Sequence, residues 1–557
     1  MKKRLLNACL ICLLLTSCNN TTSGNNSNKE VKIEVKNKKD SKVYMNLENY
    51  INLPTTFFTF DEDVPYVNIE DYINNFLVKI NGEIQHYSIK NNVITNIDTN
   101  ISLTFDTTNN TIYTDDLDQF TNSTDMKINS KDILDINQNP RCRYSNSNSS
   151  YTKGNKITIN LNEYNTRVIK YENRIYVPFS YLDNIFCFDR SSRFTFNGDN
   201  FYVSNIDSML ENDVLDEYGT TYYSGSLANI KQRSDSYINY FYYSFLFELI
   251  YNDGKSAGIS VSDLDNKLET LGLKSELKSK DSKVADLAIA KTLYTAFSDG
   301  GHTRFSNLGV TTPYNKENNE YAAKLIYSLD PRNKKLVDTL TSLKEKRGDL
   351  TNNLSINGET AIIRFDIFDE SESTSTFILF KDSFETIKEN SSIKNVVFDV
   401  TLNGGGASMA LCNALSFLTD DPIKIKIKNP TTGSINVEAV EVDNNQDGNF
   451  DDKDSYQGKY NFYVLTSNFS FSSANAFAVY CKDYNLAKII GKRSGGGDCS
   501  VASGVSVDGS FWNMSSNSML IRKDNTSYDD GASLDYELDD SYFYDDSKLN
   551  SFLSSLK

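Results

Sequence analysis

The sequence predicts a multidomain α/β protein with a β-rich front, a helical middle and an α/β rear. Three observations carry this. Alternating runs bounded by Asn, Asp and Gly, such as residues 101–105 and 157–161, fill the first third. Residues 230–251 return apolar side chains at helical spacing, at Ile238, Phe241, Tyr242, Phe245, Leu246 and Leu249. Beyond residue 354, apolar strands alternate with helices, an α/β pattern. At 557 residues the chain is too long for one ordinary domain. A hydrophobic fraction of 39%, with 34 Tyr and 32 Phe, supplies the cores. The net charge of −17 argues against a nucleic-acid partner.

Residues 1–18 read as a targeting segment. Lys2, Lys3 and Arg4 precede an apolar stretch, residues 5–15, that is too short to span a bilayer comfortably. It ends in Leu15-Thr16-Ser17-Cys18, which resembles a bacterial lipobox. The resemblance implies cleavage before Cys18, lipidation there, and a stable anchor on the extracytoplasmic face of the cell membrane. Residues 19–42, rich in Asn, Ser, Thr and Lys, read as a flexible tether. Of 8 cysteines, Cys142, Cys187, Cys412, Cys481 and Cys499 lie beyond the signal and the anchor. They lack Cys-x-x-Cys spacing, so no structural zinc is indicated.

Residues 43–210 are expected to form the β-rich domain. Two segments echo each other, 64–73 and 175–182, each reading as strand, proline and short amphipathic helix. The second, with Phe201-Tyr202-Val203 after Asn197-Gly198, resembles the stalk-like domain at the N-terminus of copper amine oxidases. His86 falls here and reads as surface or core. Residues 211–350 read as a helical cap, with further helices opening at Val261 and spanning 282–297. The last runs into Asp299-Gly300-Gly301-His302-Thr303, and glycine is the expected helix stop. His302 and His86 are the only histidines.

Residues 351–557 carry the α/β pattern. A strand at 360–365, a helix at 377–389 and a buried strand at 395–400 lead into Asn403-Gly404-Gly405-Gly406, followed by a helix at 408–418. A strand at 463–465 then crosses a run of small hydroxyl residues, Ser467, Ser470, Ser472 and Ser473, and enters a helix from Ala474. A serine at such a junction has its Oγ exposed beside a helix N-terminus, a geometry suited to a nucleophile and its oxyanion site. The alternative is that these serines are helix caps. A short strand at 487–490 leads to Ser494-Gly495-Gly496-Gly497.

In this order, the Asp-Gly-Gly-His-Thr, Asn-Gly-Gly-Gly and serine-rich motifs resemble the S41 peptidases, the C-terminal processing and tricorn-type serine proteases. The resemblance covers roughly residue 230 to the end. It implies a crotonase/ClpP-like α/β spiral as the catalytic core. The family strand motif Asp-x-Arg-x-Asn-x-Gly-Gly corresponds to residues 399–406, with Thr401 in place of arginine. The family nucleophile falls on Ser472, with Asn475 where glutamate is usual. The lysine of the Ser–Lys branch falls on Gly497, so the Ser–His–acid branch is implied, with His302 as base. The late carboxylate falls on Asp529, which register favours over Asp530. Backbone N–H groups of Ser473 and Gly405 would form the oxyanion hole. The activity implied is serine endopeptidase on a protein or peptide substrate, with no cofactor required for catalysis. Thr401, Asn475 and the Asp-for-Glu change leave a rival reading, a degenerate peptide-binding or adhesin-type envelope lipoprotein.

One motif stands apart. Asp443, Asn445, Asp447, Asn449, Asp451 and Asp454, with Gly448 at the sixth position, have the spacing of an EF-hand-type calcium loop. The expected ion would order an insertion between strands and take no part in chemistry.

Overall fold

The computed structural model describes residues 33–556 apart from 81, 122–140, 188–192, 205–209, 212–213, 229, 231, 313–323, 325–328, 372–374 and 451–452. Cys18 with its lipobox, and Asp451, lie outside the described residues.

The front of the chain folds into a seven-stranded and a five-stranded sheet. The two echoing segments are neighbours in the first. Strand Asp61–Asn68 pairs antiparallel with Arg174–Pro178, Val67 opposite Val177, and each runs directly into a helix. Asn68 caps its helix by accepting from the N–H groups of Glu70 and Asp71. The region does not close on itself, however. Strands Cys142–Tyr144 and Ser150–Thr152 leave it and pair with Ile435–Val442 of the rear. They cover what would otherwise be an open sheet edge.

Helix Asp235–Asn252 is buried nearly all round, so it is a central rod rather than a surface helix. Phe247 packs on Tyr181 of the front at 4.8 Å, and Phe245 meets Trp512 of the rear edge-on at 5.6 Å. Arg193 fastens the same junction. Its guanidinium donates to Asp183 at 2.8 Å, to Glu248 on the rod at 2.9 Å and to the Ser503 carbonyl at 2.8 Å. A buried cation is tolerated only with its partners in place, so losing one carboxylate here would be costly.

The rear holds a six-stranded sheet. Strands Thr360–Arg364, Asn395–Asp399, Asn461–Thr466 and Lys488–Gly491 run parallel, with Asp399 level with Leu465 and Thr466 level with Gly491. Side chains alternate between its faces, as strand geometry requires. Val396 and Phe398 pack among the aromatic side chains of helix Thr376–Lys388 and Phe477 of helix Ser473–Asp483. Val397 faces Leu343, Leu549 and Leu553 on the other side. The carboxyl ends of three parallel strands release the glycine loop, the serine loop and the 492–497 turn at one edge. Ligands of open α/β sheets bind at such an edge. A second, antiparallel sheet carries the hairpin Cys499–Val505 and Phe511–Leu520, with the short strand Arg304–Asn307 alongside. Among the described residues no helix is long and apolar enough to cross a membrane.

Candidate active site

The serine loop sorts its own hydroxyls. Ser467 Oγ donates to the Thr401 carbonyl at 2.6 Å, Ser470 Oγ to the Val400 carbonyl at 2.7 Å, and Ser473 Oγ to the Gly406 carbonyl at 2.7 Å. These three bonds stitch the serine loop to the glycine loop. Ser472, between them, occupies the cap position of helix Ser473–Asp483, yet its side chain makes no cap bond. Its backbone sits at φ 52°, ψ −122°, where a residue with a Cβ rarely rests. The Ser472 N–H bonds the Gly496 carbonyl at 2.9 Å, and its own carbonyl accepts from Ala476 N–H at 2.8 Å. Strain held in place by its surroundings is characteristic of functional positions. A sharp strand-to-helix turn that leaves an Oγ uncommitted is the local geometry of a nucleophile elbow.

His302 lies on the neighbouring wall. In the antiparallel pairing, Arg304 opposes Asn513 and Phe305 opposes Trp512. The same register carried two residues back sets His302 across from Ser515. His302 Nδ1 lies 3.2 Å from Ser515 Oγ, and Ser515 Oγ donates to Asp299 Oδ2 at 2.6 Å. The other oxygen of Asp299 accepts from the N–H groups of Gly301, His302 and Thr303 at 2.9–3.0 Å, which folds the loop that holds the ring. Nε2 is buried and has no hydrogen-bond partner. Burial pushes the imidazole pKa below its ordinary value, against the pull of Asp299, so the ring is neutral at pH 7.

Phe471 connects the two walls. Its ring meets the His302 ring edge-on at 4.9 Å, so His302 stands beside the residue that precedes Ser472. A Cβ on Gly301 would fall 2.6 Å from this ring, and one on Gly497 also 2.6 Å from it. Both positions must therefore be glycine for Phe471 to fit. Gly405, at φ 113°, comes closest to the serine itself, since a Cβ there would lie 2.7 Å from Ser472 Cβ.

Residues 359–537 match the model of peptidase family S41. Over this segment the chain is similar to the S41 peptidases. Solved structures similar to the chain include a photosystem II D1 C-terminal processing protease, at 19% identity over 32% of this chain and 42% of that one, with a TM-score of 0.27. Another is a putative peptidase from Parabacteroides merdae, at 17% identity over 53% of this chain and 87% of that one, with a TM-score of 0.36. A third is a lipoprotein from Streptococcus agalactiae, at 14% identity over 59% of this chain and 99% of that one, also with a TM-score of 0.36. The chain thus spans less than half of the length of the processing protease. No curated protein matches it.

The departures from the S41 pattern have physical explanations. Thr401, in the arginine position, donates to Asp399 at 2.7 Å, while Arg364 on the neighbouring strand supplies the cation at 3.0 Å. Asn475, in the glutamate position, is fully buried. It donates to the Tyr528 carbonyl at 3.0 Å and accepts from Ser494 Oγ at 2.7 Å. At Gly497, where the Ser–Lys branch has its lysine, the Phe471 ring leaves no room for a side chain. Lys255 approaches the same turn but is paired with Asp498 at 2.7 Å and Asp529 at 3.3 Å. Burial opposes its charge, yet Cys499, Asp498 and Asp529 hold its pKa above the ordinary range, which makes it a poor base.

Two of the expected site residues are engaged elsewhere. Asp529, expected to orient His302, is bonded to other groups on both oxygens. Arg332 donates to them at 2.9 and 3.2 Å, Gly497 N–H donates at 3.0 Å, and Lys255 stands at 3.3 Å. Burial would raise its pKa, but Arg332 and Lys255 outweigh that and lower it to about 2. Asp530, the alternative in sequence, offers its carbonyl to Arg493 at 3.1 Å. Gly405, expected as an oxyanion donor, gives its N–H to Asn403 Oδ1 at 2.9 Å. Its contribution to the resting site is therefore the close approach of its backbone to Ser472.

Asp299 belonged to the histidine motif in sequence without a role, and Ser515 was missed. The signal for Ser515 was the Asp508-Gly509 pair, a turn marker whose following stretch, Phe511–Leu520, returns beside the histidine. His86, just before strand Tyr87–Lys90 of the front, faces Asp98 at 3.0 Å. In the calcium-type loop, Asp443 accepts from the N–H groups of Asp447 at 3.2 Å and Gly448 at 2.8 Å, and Asn445 Nδ2 donates to Asp454 at 2.8 Å. Asn449 follows in the same turn, its N–H bonded to Asp447 at 2.7 Å.

Proposed function

We propose that this protein is a serine endopeptidase held at the extracytoplasmic membrane face by a lipid on Cys18. The observation that carries the reading is the strained, uncommitted Ser472 beside a neutral histidine whose Nε2 is unpartnered. In this reading Ser472 Oγ attacks the peptide carbonyl while its proton passes to His302 Nε2. The carbonyl π pair moves onto oxygen, where the Ser473 N–H at the helix N-terminus supports the charge. Collapse breaks the C–N bond, and the imidazolium gives its proton to the leaving amine. Water, deprotonated by the same nitrogen, releases the acyl group and restores the serine. Gly405 joins as second donor only when its bond to Asn403 breaks. The crotonase/ClpP-like spiral is the core that this mechanism implies, and the calcium loop would serve order alone.

The engaged Gly405 N–H also favours a second reading, a domain that binds peptides without cutting them. Purified mature protein offered casein and a fluorophosphonate separates the two. The endopeptidase reading expects hydrolysis and labelling that Ser472→Ala abolishes. Peptide binding with neither activity would establish the second reading, and equal activity in the variant would remove Ser472 from the mechanism.

A further inference from the structure

We propose that Asp299, acting through Ser515, is the carboxylate that positions His302 and fixes its tautomer, in place of Asp529. The proposal rests on the reading of Ser472 and His302 as a nucleophile–base pair, and it deepens that reading. Both positioning residues are buried, Asp299 at 1% and Ser515 at 1% exposure, so water does not compete for their bonds.

The direction of each bond follows from proton counting. Burial would raise the Asp299 pKa, but His302, Ser515 and the N–H groups of Thr303 and Gly301 together keep it below the ordinary carboxylate value. Asp299 is therefore ionised and can only accept. The single hydroxyl proton of Ser515 goes to it, across 2.6 Å. Ser515 Oγ then has only lone pairs to offer Nδ1, so Nδ1 must carry the ring proton across the 3.2 Å contact. The neutral imidazole is left with its lone pair on Nε2, the nitrogen without a partner. A base aimed at Ser472 needs this tautomer. When His302 becomes an imidazolium, the Asp299 charge is relayed to it through an oriented hydroxyl.

Asp529 contributes differently. With Arg332 and Lys255 it straps the 495–497 turn, whose Gly496 carbonyl holds the Ser472 N–H. The charged groups acting on His302 are Asp299, Lys255, Asp498 and Asp529. Of these, Asp299 alone is joined to the ring by a continuous hydrogen-bonded path among the described contacts.

The chain has only two histidines, so histidine-selective isotope labelling resolves both rings, and a His86→Gln variant identifies them. Long-range proton–nitrogen spectra of the wild type should report His302 with its proton on Nδ1. Ser515→Ala should mix the tautomers, lower kcat on casein by about 10- to 100-fold with KM within about twofold, and shift the acid limb of the pH profile. Ser515→Thr, which keeps a hydroxyl, should restore much of both. Asp529→Asn should move the His302 titration less than Asp299→Asn does. A Ser515→Ala protein that keeps the wild-type tautomer and pH profile overturns the proposal, as does an Asp529→Asn variant with the larger titration shift. If the wild type neither cuts casein nor labels at Ser472, the peptidase reading fails, while the tautomer measurement still decides the relay.

Discussion

Among the described residues four serines hold the cap position of a helix, and three behave alike. Ser234, Ser260 and Ser375 have extended backbones, and their hydroxyls accept from the third N–H of the helix at 3.1, 3.1 and 3.3 Å. Ser472 occupies the same position, with a positive φ and an idle side chain. A cap is worth about 1 kcal/mol, and a non-glycine residue in such a backbone region costs about 1–3 kcal/mol. The fourth helix start is thus less stable than the others by about 2–4 kcal/mol on these scales. At Ser472 stability is given up and an unbonded oxygen atom is presented.

The sharpest break of this comparison is Ser472→Ala. The side chain bonds nothing, so its loss should move Tm by about 1 °C or less, while casein hydrolysis should fall at least about 10³-fold. Calorimetry and a proteolysis assay on the same preparation check both halves. A large Tm drop would place Ser472 with the structural caps.

Gly405→Ala should come next. Its φ of 113° and the 2.7 Å approach to Ser472 Cβ leave no relaxed place for a methyl group. Overpacking of this kind costs about 1–3 kcal/mol, and any shift it forces displaces Ser472. We expect at least about 100-fold lower kcat with a Tm loss of several degrees. Wild-type kinetics would mean that the glycine loop tolerates space it does not show.

The pH profile sharpens the comparison further. The His302 pKa lies below its ordinary value because the ring is buried. The base is neutral above that folded pKa, so fluorophosphonate labelling should plateau at neutral pH and fall about tenfold per unit below an inflection under pH 6.5. Between the folded and unfolded pKa values the unfolded chain binds more protons, so stability is full above about 6.5 and declines as pH falls toward the folded value. An inflection above pH 7 would contradict the buried, neutral ring.

Much of this was legible beforehand, and the limits have physical causes. Ser472 and His302 stand out in the sequence because glycines and one of only two histidines punctuate the chain locally, and the fold sets the His302 ring against Phe471, next to Ser472. The strand–helix alternation of the rear appeared because strands buried on both faces read as plain apolar runs, as in residues 395–399. Asp529 was a different case. Its place in sequence agreed with the family pattern, but its partners Arg332 and Lys255 are 197 and more positions away, and no local pattern announces an ion pair. Ser515 was hidden because Phe511–Leu520 is interrupted by Asn513, Ser515, Ser516 and Asn517, so polar residues mask its strand character. The return of residues 142–152 to the rear sheet likewise depends on a pairing nearly 300 residues long.

The mildest prediction concerns the ordinary caps and the acidic loop, both structural in this account. Ser375→Ala should cost about 1 kcal/mol through its lost bond to the Ile378 N–H, and leave casein hydrolysis within about twofold. If the 443–454 loop holds calcium, a chelator should lower Tm by a few degrees and leave Ser472 labelling intact, because that loop joins strands away from the serine. Added calcium should restore the Tm with a saturable dependence, as ligand binding to the folded state alone requires. Magnesium should do so far less well, since a loop of side-chain and carbonyl oxygens suits the larger ion. A chelator that abolishes labelling while Tm holds would place the metal in the chemistry, and the contrast between Ser472 and the structural caps would have to be redrawn around it.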